Sequence, residues 1–245
     1  MRIGVDVGGT NTDAVVMDGA TVLASVKSPT TEDVGGGVIQ AIRDVLASSG
    51  AETAAIDHVM IGTTQFTNAF VERARLLEVA VVRLALPATD SLLPLVDWPK
   101  DLVDRVGRHV YMVRGGYEYD GREIAALGEK EVLEAARDIK LKGIRSVAIS
   151  CVFAPLNSAM EERAAEILRA ELPDADITLS NEIGRVGLIE RENAAVMNAS
   201  LAELSRKVVG AFRAALKDLA ITAPFYISQN DGTLMTADYA ERYPV

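Results

Sequence analysis

The sequence predicts an α/β fold: an antiparallel β-meander, then alternating strands and helices in a mixed sheet flanked by helices. Three observations lead there. Short β-type runs at residues 3–7, 14–17 and 21–26 are punctuated by Gly8-Gly9 and Asp18-Gly19, which suits tight hairpins. Beyond residue 30, apolar strand-like runs alternate with stretches of helical periodicity. The 245 residues are 49% hydrophobic but only 5% aromatic, a balance that favours α/β over all-β and is long enough to bury a sizeable core.

Each later element has its own signal. A helix is expected over residues 32–49, with Glu32 and Asp33 in its first turn and Gly50 as its stop. Strands at 58–61 and 79–84 flank a polar segment and a short helix reaching Arg73, and residues 87–121 read as an excursion around one strand at 108–113. A helix at 129–142 stops at Gly143, and a strand at 146–153 follows. Ser158 and Glu161 form a capping box opening a helix to residue 172, and a short strand covers 177–179. The longest helix, 191–219, spaces Met197, Leu201, Leu204, Val208, Phe212, Leu216 and Leu219 as a core stripe. A last strand at 225–228 runs into residues 229–233.

Composition narrows the partners. A net charge of −10 gives a surface that repels a nucleic-acid backbone, so no nucleic acid is expected. No run of about 18 apolar residues predicts a membrane span, and the early Asp6 leaves no apolar signal segment, so a cytoplasmic location is expected. The single cysteine, Cys151, lies in an apolar run and reads as a buried strand residue. His58 and His109 have no second ligand at metal-binding spacing, and no Gly-x-Ser-x-Gly elbow occurs.

The most informative stretch is Asp6-Val7-Gly8-Gly9-Thr10-Asn11-Thr12-Asp13. Two glycines let a backbone turn tightly and approach phosphate oxygens, leaving N–H groups to donate, while Thr10 and Thr12 add hydroxyls. Asp6, at the carboxyl end of a strand, suits a hydrated Mg2+ held through water. The stretch lacks a Walker ending, and a strand follows where a Rossmann unit needs a helix. A β-hairpin is therefore expected to meet the phosphates of a triphosphate.

This hairpin resembles the first phosphate motif of the actin, sugar-kinase and heat-shock ATPase superfamily. Its Asn11-Thr12-Asp13 variant resembles the hydantoinase/oxoprolinase A subunits, as do Lys27-Ser28-Pro29-Thr30-Thr31, the segment from Gly62 to Ala69, Glu190-Arg191-Glu192-Asn193, and the segment from Gln229 to Met235. The resemblance implies a ribonuclease-H-like lobe, with ATP and Mg2+ used to phosphorylate the carbonyl oxygen of a cyclic amide of the 5-oxoproline or hydantoin type. It also implies alternatives: an acetone-type carboxylase subunit, a small-molecule kinase, or a scaffolding or regulatory lobe without turnover.

On the same resemblance Asp6, Asp13, Arg191 and Asn193 are the expected catalytic residues. Gly8, Gly9, Thr10, Asn11, Thr12, Asn230, Asp231 and Gly232 are the expected nucleotide contacts, and Thr63, Thr64, Gln65 and Asn68 the substrate cleft. Gln65 stands where the family pattern leads us to expect histidine. Residues 1–180 correspond to the family's N-terminal domain and 181–245 to the start of the next. A second lobe with its own glycine hairpin is missing, so the chain is expected to be a fragment that binds ATP weakly and turns over nothing. A B-type partner subunit and homo-oligomerisation are the expected assembly.

Overall fold

A computed structural model describes residues 1–30, 34–229 and 231–245. The expected helix start at Glu32 and Asp33, and Asn230, therefore lie outside the described residues. The chain divides into two compact units, one of residues 1–72 with 203–244, the other essentially residues 73–202.

The first unit opens with the meander β1 (Arg2–Val7), β2 (Asn11–Asp18) and β3 (Thr21–Pro29), followed by α1 (Val34–Ser49), β4 (His58–Thr63) and α2 (Gln65–Val71). It is completed by β9 (Phe225–Ser228), β10 (Leu234–Thr236) and α7 (Ala237–Arg242). These strands form one six-stranded mixed sheet in the order β10-β9-β4-β1-β2-β3, in which β1, β4 and β9 run parallel and the rest antiparallel to their neighbours. Alternation along β1 and β2 sends Ile3, Val5, Val7, Ala14 and Val16 to a buried face. Helix α1 packs on these strands and buries Val38, Ala41, Ile42 and Val45. It ends where expected, at Gly50, whose φ of +67° favours glycine.

The second unit holds a wholly parallel four-stranded sheet, order β6-β5-β7-β8, from β5 (Val79–Leu86), β6 (His109–Arg114), β7 (Ser146–Cys151) and β8 (Asp176–Leu179). The mixed sheet expected from sequence is thus accompanied by a separate parallel one. Its helices are α3 (Lys100–Val106), α4 (Glu129–Leu141) and α5 (Ala159–Glu171). Val82, Leu84, Val147 and Ile149 pack with Val132, Ala136, Ala164 and Leu168 of α4 and α5 in one core. Buried helix-covered strands of this kind read as near-continuous apolar runs, as β5 does apart from Arg83. Cys151 lies in that core, and burial pushes its thiol up to about 12.

The longest helix, α6 (Leu188–Asp218), supplies residues to both units. Its expected stripe holds at Leu201, Leu204, Val208, Phe212 and Leu216, all buried, while Met197 and Leu219 are half-buried. Its first half meets the parallel sheet through polar groups: Ser146 donates to the Ala199 carbonyl at 2.7 Å, and Ser150 to Glu192 at 2.6 Å. Glu192 also receives Nε and Nη2 of the fully buried Arg83, at 2.7 and 2.5 Å. Among the described residues no helix is long and apolar enough to cross a membrane.

The capping box expected at Ser158 is not formed. Ser158 donates to Glu162 at 2.6 Å, the Asn157 side chain accepts the Ala159 amide, and Glu161 turns inward to other partners. A buried carboxylate finds better donors inside than the one N–H at a helix start. The excursion over residues 87–121 contains α3, which its Pro-rich flank concealed.

Replacing one member of a buried, doubly hydrogen-bonded ion pair strands the other's charge in the interior. Arg83→Met is expected to lower stability by about 3–5 kcal/mol in urea unfolding, and pairing it with Glu192→Met to recover part of that loss.

Candidate functional site

The parallel strands β1, β4 and β9 end on the same edge of the six-stranded sheet, where open α/β sheets bind ligands. The turn after β1 carries Gly8, Gly9 and Thr10. The end of β4 and the turn after it carry Thr63 and Thr64, and the β9–β10 turn carries Asp231 and Gly232. Three separately expected segments are thereby brought to one sheet edge.

Of the hairpin amides, Gly8 N–H is spent on the Asn11 carbonyl at 3.0 Å. The amides of Gly9 and Thr10 have no partner among the described residues, both residues are exposed, and a Cβ at Gly9 would meet nothing within 4 Å. The tip is held from behind by Thr30, whose amide donates to the Thr10 carbonyl at 2.9 Å and whose hydroxyl donates to the Gly8 carbonyl at 2.9 Å. A hydroxyl has one proton, so the 3.2 Å contact between the Thr12 and Thr30 hydroxyls has Thr12 as donor. Thr12, fully buried with its proton committed, has no donor left for phosphate, which corrects its assignment as a nucleotide contact.

On the face opposite α1, neighbouring strands place Ser228, Gly62, Asp6, Asp13 and Lys27 in one transverse row. The row borders an open-sided pocket of about 600 Å3, whose floor includes Gly4, Val15 and Met60. Asp6 and Asp13 are directly opposed across the β1–β2 pair, an arrangement that is unfavourable unless a cation intervenes. Lys27 meets part of that demand, 3.4 Å from Asp13. Gly62 keeps the row clear, since a Cβ there would stand 3.1 Å from the Ser228 hydroxyl and 3.2 Å from an Asp6 oxygen.

The remaining expected residues separate. Thr63 accepts the Gln65 amide at 3.3 Å, and the Asn68 side chain donates to Thr64 at 3.3 Å, so these groups are engaged in starting α2. Asp231 accepts both the amide and hydroxyl of Thr233, at 2.9 and 2.7 Å, which holds its carboxyl below the usual range. Gly232 has a φ of +84° and donates to the Gln229 carbonyl, closing the turn. Asn193, in the other unit, accepts the Trp98 indole N–H at 2.8 Å.

Arg191 belongs to the same unit and is only 1% exposed. Its Nε donates to Ser180 at 2.8 Å, its Nη1 to the carbonyls of Arg185, Val186 and Gly187, and its Nη2 to the Cys151 carbonyl at 2.5 Å. The guanidinium is consumed inside, a correction to its expected catalytic role. Beside it, Glu161 accepts Ser180 Oγ at 2.5 Å and the Asn181 amide at 3.0 Å, yet burial pushes its carboxyl up to about 7. Lys27, Thr30, Gly62 and Ser228 were not singled out from sequence as site residues. Their signal is strand register, which becomes visible only once the strand pairs are known.

The hydantoinase/oxoprolinase N-terminal region model matches residues 2–172. The chain belongs to that family. A family member, caprolactamase subunit alpha of Pseudomonas jessenii, is 28% identical over 95% of the chain and 36% of its own length. The solved ATP-dependent caprolactamase from that organism superposes with a TM-score of 0.82 at 25% identity, over 97% of this chain and 36% of that one. The nucleotide-free structure of acetone carboxylase gives 0.81 at 19% identity, over 99% and 38%, a likeness of fold. The chain thus spans a little over a third of the length of the proteins it matches.

Two expectations follow. Thr30→Val removes the hydroxyl bond to Gly8 and leaves the buried Thr12 proton without an acceptor, which should cost about 1–3 kcal/mol in chemical denaturation. Because the folded chain keeps the Glu161 proton to higher pH than the unfolded chain does, stability should fall as pH rises from about 4.5 to about 7, by on the order of 3 kcal/mol. Glu161→Gln should flatten unfolding profiles across that window.

Proposed function

We propose that this chain is the phosphate-binding first lobe of an ATP-dependent enzyme that phosphorylates the carbonyl oxygen of a cyclic amide of the 5-oxoproline or hydantoin type. The observation that carries the reading is the pairing of unpartnered Gly9 and Thr10 amides with the opposed carboxylates of Asp6 and Asp13, at the carboxyl edge of the sheet. The donor set fits the nucleotide: two free N–H groups and the exposed Thr10 hydroxyl suit phosphate oxygens. It also fits Mg2+, which keeps most of its waters and takes one or two carboxylates, here Asp6 through water. Among the described residues no cluster of three acidic, histidine or cysteine side chains is available to a metal, so a cation here would rest on few protein ligands.

Bound MgATP would supply the phosphoryl group that makes an amide oxygen a better electron sink. The part of this chain is positioning and charge, which carry most of phosphoryl transfer. Gly9 and Thr10 would hold phosphate, Asp6 would hold the metal through water, and Lys27 balances Asp13. Thr63, Thr64, Gln65 and Asn68 lie at and beyond the end of β4 and would border the substrate side; Asn11, Asp231 and Gly232 would border the nucleotide. The sequence division at 180/181 into the family domain and the start of the next belongs to the same reading.

The caprolactamase relative's name supports the choice of a cyclic amide, its ATP dependence supports the nucleotide, and its description as a subunit supports a B-type partner. A carboxylase subunit or a small-molecule kinase would use the same cradle. A scaffold without turnover would not need Asp6 and Asp13 opposed on an open face.

In the full-length enzyme with its partner subunit, ATP hydrolysis stimulated by 5-oxoproline, hydantoin or caprolactam should fall about a hundredfold or more in kcat for Asp6→Asn. Unchanged turnover would identify a scaffold, and accumulation of a phosphorylated product without the partner would identify a kinase. The 245-residue chain alone should bind MgATP weakly by calorimetry, with sub-micromolar affinity overturning that expectation.

A further inference from the structure

A second pocket, of about 550 Å3, lies wholly within the unit of residues 73–202, in the size range of small-molecule sites. Leu93, Leu95, Val96, Val103, Val110 and Met112 give it apolar walls, and Trp98 lines it too. Leu93 and Val96 are 56% and 59% exposed, so this apolar surface meets water as the chain stands.

The segment that forms the pocket is pinned at two points. The Leu92 carbonyl accepts Nη1 of Arg83, the guanidinium otherwise held by Glu192. The Trp98 indole donates to Asn193, the next residue of α6. Two adjacent helix residues therefore fix the segment, one through Arg83 and one directly, so little ordering remains to oppose a ligand.

Two cations face the pocket. Lys100 has no ion-pair partner among the described residues, and Arg108 gives one N–H to Asp104 at 3.2 Å while its other donors stay uncommitted. The neighbouring acids do not line it: Asp101 is held by Arg73 at 2.9 Å, Asp104 by Arg108, and Asp97 lies outside the lining. In a chain of net charge −10, an apolar pocket carrying two cations selects for an anion with a hydrocarbon body.

We infer that this pocket binds a small apolar monocarboxylate, its carboxylate against Lys100 and Arg108 and its hydrocarbon part along Trp98 and Met112. A guanidinium pairs a carboxylate through two parallel N–H groups, and a single negative charge matches one free and one partly used cation. The inference does not rest on the nucleotide reading, because every residue it uses lies outside the sheet-edge row.

Trp98 is the only tryptophan, so emission excited selectively in tryptophan, apart from the six tyrosines, reports on this pocket alone. Titration with octanoate should shift Trp98 emission saturably, with half-saturation at or below about 1 mM. Octanol and octylamine should bind at least tenfold more weakly. The Lys100→Gln/Arg108→Gln double variant, both positions being solvent-facing, should lose about tenfold for octanoate and little for octanol. No saturable change with octanoate overturns the inference, as does equal binding of octanol or octylamine, or an unchanged octanoate affinity in the double variant.

Discussion

The side-chain alternation of β1 and β2 is the constraint on which the candidate site depends. The two strands put Ile3, Val5, Val7, Ala14 and Val16 under α1, which leaves Asp6 and Asp13 on the opposite face. A slip of one residue in either strand would carry that strand's carboxylate into the core and its apolar side chains into water. The cost of burying a charge therefore holds the register, and the register in turn fixes where the glycine tip points. Hydrophobic packing on one face and charge placement on the other are two readings of the same pairing.

Thr30 extends this logic past the strands. Its amide and hydroxyl occupy the carbonyls of Thr10 and Gly8, so the tip is braced by its acceptors while the Gly9 and Thr10 donors stay free. Satisfying carbonyls while leaving N–H groups without partners among the described residues is what an anion-binding turn requires. The second unit settles its polar groups differently: Arg83, Glu192, Arg191 and Glu161 are buried and used up, and they link the parallel sheet to α6, to the 87–99 segment and to the turn before α6.

Much of the fold was legible because period and punctuation agree locally. The meander, the buried β5 run and the α6 stripe all follow from residues that satisfy their own neighbourhood. The hairpin tip was legible where backbone chemistry decides, as at Gly9-Thr10, whose amides have no partner among the described residues. Legibility failed where a partner distant in sequence decides. Thr12 looks like a donor until Thr30 claims its proton, and Arg191 looks like a catalytic residue until Ser180 and four carbonyls surround it. Glu161 fits a capping box by spacing, but burial beside Ser180 and Asn181 outweighs one helix-end bond. Lys27 and Ser228 join the Asp6 row only through strand order, which no local pattern carries.

The inert thiol of Cys151 has a practical corollary. Sealed between β7 and its covering helices and held far from its reactive form, it will not compete for maleimides or methanethiosulfonates near neutral pH. The native chain is thus already a silent background for cysteine labelling. A spin label or dye introduced at an exposed position such as Thr10 would report from that one place without any prior removal of the native sulfur.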